Sequence, residues 1–335
     1  MRVLLDGMGG DNAPQEIVKG AVDAARESQH EIQIIGREED IYLQLEKYDY
    51  PKDRISVINA TEVISNDESP VWAIRKKKDS SMVKGLNMLK EGKGDVFVSA
   101  GSTGALMAGA LMILKRIPGI ERPAIATIYP IIGGRPSIIV DAGANADCKA
   151  WNLLDFTIMG SLYMEKVMGR KDATVGLVNI GAEDSKGNEL TKEAFPMLKE
   201  ADINFIGNVE AREVPKGACD VIVCDGFTGN VILKLSEGFA SNMLKYLKQK
   251  FTEGVSAKVG AAILLPKIKG MMRETNYEEE GGAPILGVNG HVIKMHGSSE
   301  AFAVKNAVLK GAVFAENDIV GQISNEMEKI NDRKS

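Results

Sequence analysis

Residues 96–114 read VFVSAGSTGALMAGALMIL, nineteen positions without a charge. Length alone puts the run at the lower edge of a membrane span. Its middle argues otherwise, because Ser99-Ala100-Gly101-Ser102-Thr103-Gly104 is small, polar and turn-forming. The run therefore divides into an apolar strand from Val96 to Val98, a loop, and an apolar helix from Gly104. A helix of about eleven residues spans only about 16 Å, roughly half a bilayer core. A strand, a glycine-rich turn and a buried helix remain. Soluble α/β proteins present backbone N–H groups to anions in this way.

The bulk numbers agree. At 335 residues the chain is long for one core, so two lobes or one very large sheet system are expected. A composition of 44% hydrophobic and 26% charged residues is that of a soluble globular protein. The formal charge of −5 gives no general attraction to nucleic acid. Met1 leads straight into the apolar Val3–Leu5, without a signal-peptide pattern. Cys148, Cys219 and Cys224 form neither a disulfide framework nor a CxxC metal pair, which suits a reducing cytoplasm. Cys224, inside VIVCDG, is expected to be a buried structural thiol. His291 and His296, five apart on an expected final strand, would point to opposite faces, so no shared metal is expected.

Short apolar strands alternate with longer helical patterns along the chain. RVLLDG, EIQIIG, ISVINA, DVFVSA, AIATIYP, SIIVDAG, TVGLVNIG, INFIGNVE and VIVCDG read as strands. Helices are expected from Pro14, near Asp40, and around 72–91, 104–115, 149–168, 191–200, 229–251 and 299–330. Such alternation predicts a mainly parallel α/β sheet with right-handed crossovers. IYPIIGGRPSIIV differs: its Gly133-Gly134-Arg135-Pro136 turn is too short for a helix and predicts an antiparallel hairpin. One lobe is expected over about 1–130 plus 300–335 and the other over about 131–299, with no linker between them.

Ligands of open parallel sheets sit beyond the carboxyl ends of the strands. Five expected strand ends carry small or polar turns: DGMGGDN (6–12), SAGSTG (99–104), DAGAN (141–145), CDGFTGN (224–230) and HGSS (296–299). Together they predict one shared cleft. The first turn lacks the third glycine of a dinucleotide fingerprint, no acidic residue ends the second strand, and no P-loop is present. Nucleotide binding is therefore disfavoured. Ser102-Thr103-Gly104, Thr228-Gly229-Asn230 and Ser298-Ser299 read as helix starts, serving either as caps or as an anion cradle.

These motifs resemble the bacterial phosphate acyltransferase (PlsX) family of phospholipid synthesis over nearly the whole chain, from Asp6 to Ser299. The family pattern DAMGGD falls on Asp6-Gly7-Met8-Gly9-Gly10-Asp11, AIR on Ala73-Ile74-Arg75, and SSM on Ser80-Ser81-Met82. SAGNTGAL falls on Ser99–Leu106, ERPA on Glu121–Ala124, and the D-x-GAN-x-DC element on Asp141–Cys148, which includes Asn145. NIG-x-E-x-x-KG falls on Asn179–Gly187, with Glu183 and Lys186; CDGFTGN matches Cys224–Asn230 unchanged, and HG matches His296-Gly297. Gly7 for Ala and Ser102 for Asn depart from the pattern.

The resemblance implies an isocitrate/isopropylmalate dehydrogenase-like α/β/α fold with a cleft between two lobes, a homodimer, and no metal or nucleotide cofactor. It implies transfer of a long-chain acyl group from acyl carrier protein to inorganic phosphate. Ser99, Gly101, Ser102, Thr103 and Gly104 would then hold phosphate with Thr228, Asn145, Lys186, Ser298 and Ser299. Arg75 either supplies the balancing charge or is a solvated residue of RKKKDSS. His296 either steers protons or is a core histidine, while Asp225 and Asn230 would orient the nucleophile. Asp6, Gly9, Gly10, Asp11 and Asp141 would shape the cleft, the two acids of the first turn needing cations or helix ends beside them. Glu183 would close its loop by pairing with Lys186.

A basic amphipathic segment over 245–273 carries Lys245, Lys248, Lys250, Lys258, Lys267, Lys269 and Arg273, with Phe251, Val255, Val259 and Ile263 at four-residue spacing. It would face acidic acyl carrier protein, the other subunit, or a membrane surface where a membrane glycerol-3-phosphate acyltransferase takes the product. The chain would then be cytoplasmic and peripherally membrane-associated.

Overall fold

The computed structural model describes residues 1–254, 260, 261, 264, 267, 270 and 281–334. Most of the segment from 255 to 273, including Lys258, Lys269, Arg273, Val255, Val259 and Ile263, lies outside the described residues. Eleven strands are described: β1 (Arg2–Asp6), β2 (Glu31–Gly36), β3 (Ile55–Asn59), β4 (Val96–Ser99), β5 (Ala124–Tyr129), β6 (Ser137–Val140), β7 (Val175–Asn179), β8 (Phe205–Glu210), β9 (Val221–Val223), β10 (Ala283–Leu286) and β11 (His291–Lys294). They form one sheet in the order β3-β2-β1-β4-β11-β10-β5-β6-β9-β7-β8. Strands such as β4 and β6 are buried at every position, because helices cover both faces and leave no polar alternation.

The predicted α/β class holds, with β5 and β6 as the predicted antiparallel hairpin. Strand direction adds something that periodicity could not show. β3, β2, β1, β4 and β11 run parallel to one another, as do β6, β9, β7 and β8. β10 is antiparallel to both β11 and β5, and β5 is antiparallel to β6. The two parallel sets therefore point in opposite directions. In a flush sheet their carboxyl ends would lie at opposite edges. The registers prevent this: Ala283 faces Lys294, Ile285 faces Ile125, and Ala126 faces Val140. Each set is staggered against the other, so the ends of β11 and β6 meet at one level near the middle of the sheet.

Helices α1 (Gln15–Glu27), α2 (Glu38–Leu45), α3 (Pro70–Lys76), α4 (Ser81–Lys90), α5 (Thr103–Gly109), α6 (Ala150–Lys166), α7 (Glu189–Glu200), α8 (Gly226–Thr252), α9 (Ala301–Glu316) and α10 (Ile319–Lys334) fill the connections. In α1 the buried Ile17, Val18, Ala21, Val22, Ala24 and Ala25 repeat at helical spacing and pack on the Ala-rich α9. The single helix expected over 72–91 is two, because Ser80 caps α4 by accepting the Val83 N–H at 3.3 Å. The helix expected over 299–330 is likewise broken, at Asp318, whose φ is 44°. α5 continues as a π-helix, Ala110–Leu114, that ends at Lys115. Strand β10 was not expected: Pro284 interrupts a short apolar run that otherwise reads as a strand.

Candidate functional site

The first, fourth and last turns of the leading half are locked together. Asp6 is buried at the end of β1 and accepts the Ser99 hydroxyl at 2.6 Å, while Ser99 Oγ accepts the Gly101 N–H at 3.1 Å. Burial pushes the Asp6 carboxyl up, against the pull of these hydrogen bonds. Gly10 adopts φ +97°, where a side chain is strained, and a Cβ there would lie 2.9 Å from Ala100 Cβ and from the Gly297 carbonyl oxygen. The Asp11 N–H donates to the Gly297 carbonyl at 2.8 Å, and Asn12 Nδ2 donates to the Ser298 carbonyl at 3.0 Å. Gly9 sits in the same closely packed corner, beside Asp6 and Gly101.

The trailing half presents two turns. The buried Asp141 carboxylate gathers the N–H groups of Ile125, Gly143, Ala144 and Asn145, together with Asn145 Nδ2 at 2.9 Å. This is a structural hub, and burial pushes its carboxyl up. Asp225 caps α8 through Thr228. The first turn of α8 lies against the Asp141 turn so closely that a Cβ on Gly229 would be 2.0 Å from the Asp141 carbonyl oxygen.

Between the halves lies a cavity of about 310 Å³, within the range that small ligands occupy. Thr103, Asn230, His296, Ser298 and Ser299 line it, with Lys234, Glu237 and Lys294 and the apolar Ile125, Ile128, Leu233 and Met295. His296 Nδ1 lies 2.8 Å from Ser298 Oγ and accepts the Ser298 N–H at 3.3 Å. That acceptance leaves the ring proton of the neutral form on Nε2. Lys234 is paired with Glu237 at 2.8 Å. Lys294 has no such partner among the described residues, and its ammonium contacts the carbonyls of Met295 and Ala100. Burial pulls it down to about 8, while the negative charges of Asp6 and Asp11 oppose that shift.

Several expected residues lie elsewhere. Ser99 and Gly101 belong to the Asp6 network, Ser102 caps α5 by accepting the Ala105 N–H at 3.4 Å, and Gly104 packs against Pro70. Thr228 is held by Asp225. Asn145 lines a neighbouring hollow of about 400 Å³ with Arg116 and Arg122. Arg75 is exposed on α3 and does not line the cavity. Glu183 and Lys186 are exposed on the loop after β7, where the Lys186 N–H meets the Glu183 carbonyl at 3.1 Å. The expected Glu183–Lys186 ion pair is not formed; Asp184 pairs with Lys199 instead, at 3.1 Å. Cys224 is buried as expected, its thiol pushed well up by burial. His291 is removed from the site, on β11 against Phe314, with Nδ1 3.1 Å from the Asp95 carbonyl oxygen. Among the described residues no cluster of His, Cys, Asp or Glu is arranged to hold a metal, and no helix is long and apolar enough to cross a membrane.

Lys234, Glu237 and Lys294 are charged cavity residues that sequence reasoning missed. For Lys294 the signal was its place in the chain: it ends β11, directly before Met295-His296, and ligands of such sheets sit beyond the strands' carboxyl ends.

Comparison with known proteins places these features in a family. The family model described as "Fatty acid synthesis protein" matches residues 1–322. The phosphate acyltransferase of Alkaliphilus oremlandii is 52% identical over 99% of this chain and 99% of its own. That of Clostridium acetobutylicum is 49% identical over 99% of this chain and 100% of its own. Among solved structures, a phosphotransacetylase from Streptococcus pyogenes superposes with a TM-score of 0.61 at 18% identity, covering 95% of this chain and 94% of that one. A 4-hydroxythreonine-4-phosphate dehydrogenase from Klebsiella pneumoniae gives 0.53 at 9% identity, covering 94% and 97%. These two likenesses concern the fold, the dehydrogenase-like α/β architecture that the family resemblance implied. With half of its residues shared along almost its entire length, the chain belongs to the fatty acid synthesis protein family and is an acyl-transferring enzyme.

Proposed function

We propose that this enzyme transfers a long-chain acyl group from the thioester of acyl carrier protein to inorganic phosphate, forming acyl-phosphate for phospholipid synthesis. The observation that carries the reading is the mixed lining of one cavity. Thr103, Asn230, Ser298, Ser299 and His296 offer hydrogen bonds for a small anion, beside Ile125, Ile128, Leu233 and Met295 for hydrocarbon. The names of the curated relatives support it, since phosphate acyltransferases about half identical to this chain align with it along nearly its whole length.

In the step proposed, a lone pair on a hydrogenphosphate oxygen forms the new bond to the acyl carbon. The carbon–sulfur bond breaks and its electron pair leaves on sulfur. The phosphate proton passes to that thiolate by way of His296, so acyl-phosphate and free thiol are the products. The enzyme's contribution is placement and charge compensation; no acyl-enzyme is needed.

A homodimer fits the exposed apolar stripe of α8, where Phe227, Val231, Leu235 and Phe239 recur every four residues. A membrane glycerol-3-phosphate acyltransferase would consume the product. The deciding experiment incubates the protein with labelled phosphate and long-chain acyl carrier protein, then traps acyl-phosphate with hydroxylamine. Long-chain hydroxamate supports the reading. Turnover with acetyl-coenzyme A in its place would make the enzyme a phosphotransacetylase, and no turnover with either donor would overturn the proposal.

A further inference from the structure

We propose that Lys294 is a catalytic residue of this cavity, binding the phosphate nucleophile and offsetting its charge as the acyl–oxygen bond forms. The proposal rests on the reading above and gives the site the cation that reading lacks. Arg75, the cation expected from the sequence, is exposed and does not line the cavity.

Lys294 is the last residue of β11, paired in register with Ser99 of β4 and Ala283 of β10. It therefore stands where the two halves of the sheet meet, sharing the cavity lining with Thr103, Asn230, His296 and Ser298. Its ammonium donates to the Met295 carbonyl and reaches the Ala100 carbonyl at 3.5 Å. An ammonium has three donors, so one is left for a ligand. Lys234, on the same lining, is already neutralised by Glu237. Lys294 forms no ion pair among the described residues.

A half-buried ammonium without a carboxylate beside it is costly, and an apolar side chain of the same length would pack there more favourably. Its retention makes sense when its partner is an anion that comes and goes. The charged groups around it are Asp6 at the end of β1, Asp11 in the following turn, Lys234 and Glu237 on α8, and His296 two residues on. Asp6 and Asp11 act from beyond contact and favour the charged form of the lysine. Lys294 thus lines the space a phosphate would fill while interacting with the charge of two acids, which accounts for acids so close to an anion site. It keeps its proton throughout: the phosphate proton goes to the departing thiolate, and the lysine only balances charge.

The test uses Lys294→Met and Lys294→Arg in the full-length protein, with phosphate as the varied substrate and a saturating acyl donor. Lys294→Met is expected to lose about 100-fold in kcat/KM for phosphate while keeping its folded circular dichroism spectrum. Wild type is expected to lose kcat/KM for phosphate as pH rises through about 8, as the free enzyme's lysine loses its proton. Lys294→Arg should keep activity within about tenfold and lose that alkaline limb, since guanidinium stays protonated. The acidic limb, set by protonation of the phosphate itself, should be common to all. A Lys294→Met enzyme within about threefold of wild type overturns the proposal. So does an unchanged alkaline limb in Lys294→Arg, which decides the matter should the Met variant misfold. Calorimetric titration with inorganic phosphate, without any acyl donor, separates the two readings. Phosphate binding lost in Lys294→Met supports this role even if the acyl donor is other than proposed, and equal binding removes it.

Discussion

Both carboxylate oxygens of Asp225 are engaged by Thr228: Oδ1 accepts the backbone N–H at 2.8 Å and Oδ2 accepts the side-chain hydroxyl at 2.9 Å. An acid held in this way caps α8, setting the direction of the helix that delivers Asn230 to the cavity. Asparagine caps about as well as aspartate. Asp225→Asn is therefore expected to retain stability and turnover within about threefold, whereas Asp225→Ala should lose about 1 kcal/mol in urea unfolding. Turnover as poor in Asp225→Asn as in a His296 variant would put the carboxylate into the chemistry itself.

The first turn of α8 makes a second prediction. A methyl group on Gly229 would lie 2.0 Å from the Asp141 carbonyl oxygen, and backbone on both sides leaves no flexible chain end to yield. Gly229→Ala must push α8 away from the Asp141 turn. A loss of about 1–3 kcal/mol is expected, with a fall in kcat as Asn230 is displaced. An unchanged melting temperature would show that the helix and the turn are less closely packed than described.

His296 and Asn230 reach the same cavity from opposite halves of the sheet. If His296 carries the proton and Asn230 orients phosphate, each change to alanine should cost about 100-fold in kcat. Steady-state assays of acyl-phosphate formation decide this. Near-full activity in both variants would place the chemistry elsewhere.

The alternation of strand and helix was legible because both faces of the sheet are covered, so strands read as short apolar runs. The five turns were legible as polar, glycine-rich strand ends, and Thr103, Gly143, Asn230, His296, Ser298 and Ser299 from four of them do line one cavity. What periodicity could not carry was direction. The opposed halves and their stagger depend on β10, whose Pro284 made a central strand read as a break. Ser99, Thr228 and Asp141 share the small polar character of ligand-binding residues, yet they hydrogen-bond within their own or a neighbouring turn. Sequence cannot separate those two uses of one residue type. Lys294 was hidden for the reverse reason: a lone lysine on a strand reads as a solvent-facing residue until its neighbours are known.

The apolar stripe of α8 predicts an assembly. Leu235 is 70% exposed and Phe239 66%, far more than a helix free in water would favour over four turns. If a second copy covers them, Leu235→Glu with Phe239→Glu should convert a dimer to a monomer in analytical ultracentrifugation. A sedimentation coefficient equal to that of wild type would assign the stripe to another partner.

Stability as a function of pH gives a reading of Lys294 independent of turnover. The folded protein holds this ammonium down at about 8, against 10.5 for an unhindered lysine. Between those pH values the unfolded chain binds more protons than the native one, so the free energy of unfolding rises with pH through this window. Below about 8 both states are protonated and the full cost of burying the charge is felt. Lys294→Met removes that cost. In phosphate-free buffer at pH 7 the variant should be more stable than wild type by up to about 3 kcal/mol, and the gap should narrow as pH approaches 10. Urea melts at several pH values measure it, with the other titrating groups cancelling in the difference. Adding phosphate should close the gap from the other side, by stabilising wild type alone. A variant whose advantage stays constant with pH would mean that the lysine is better solvated than its surroundings imply, with no burial cost for an arriving anion to relieve.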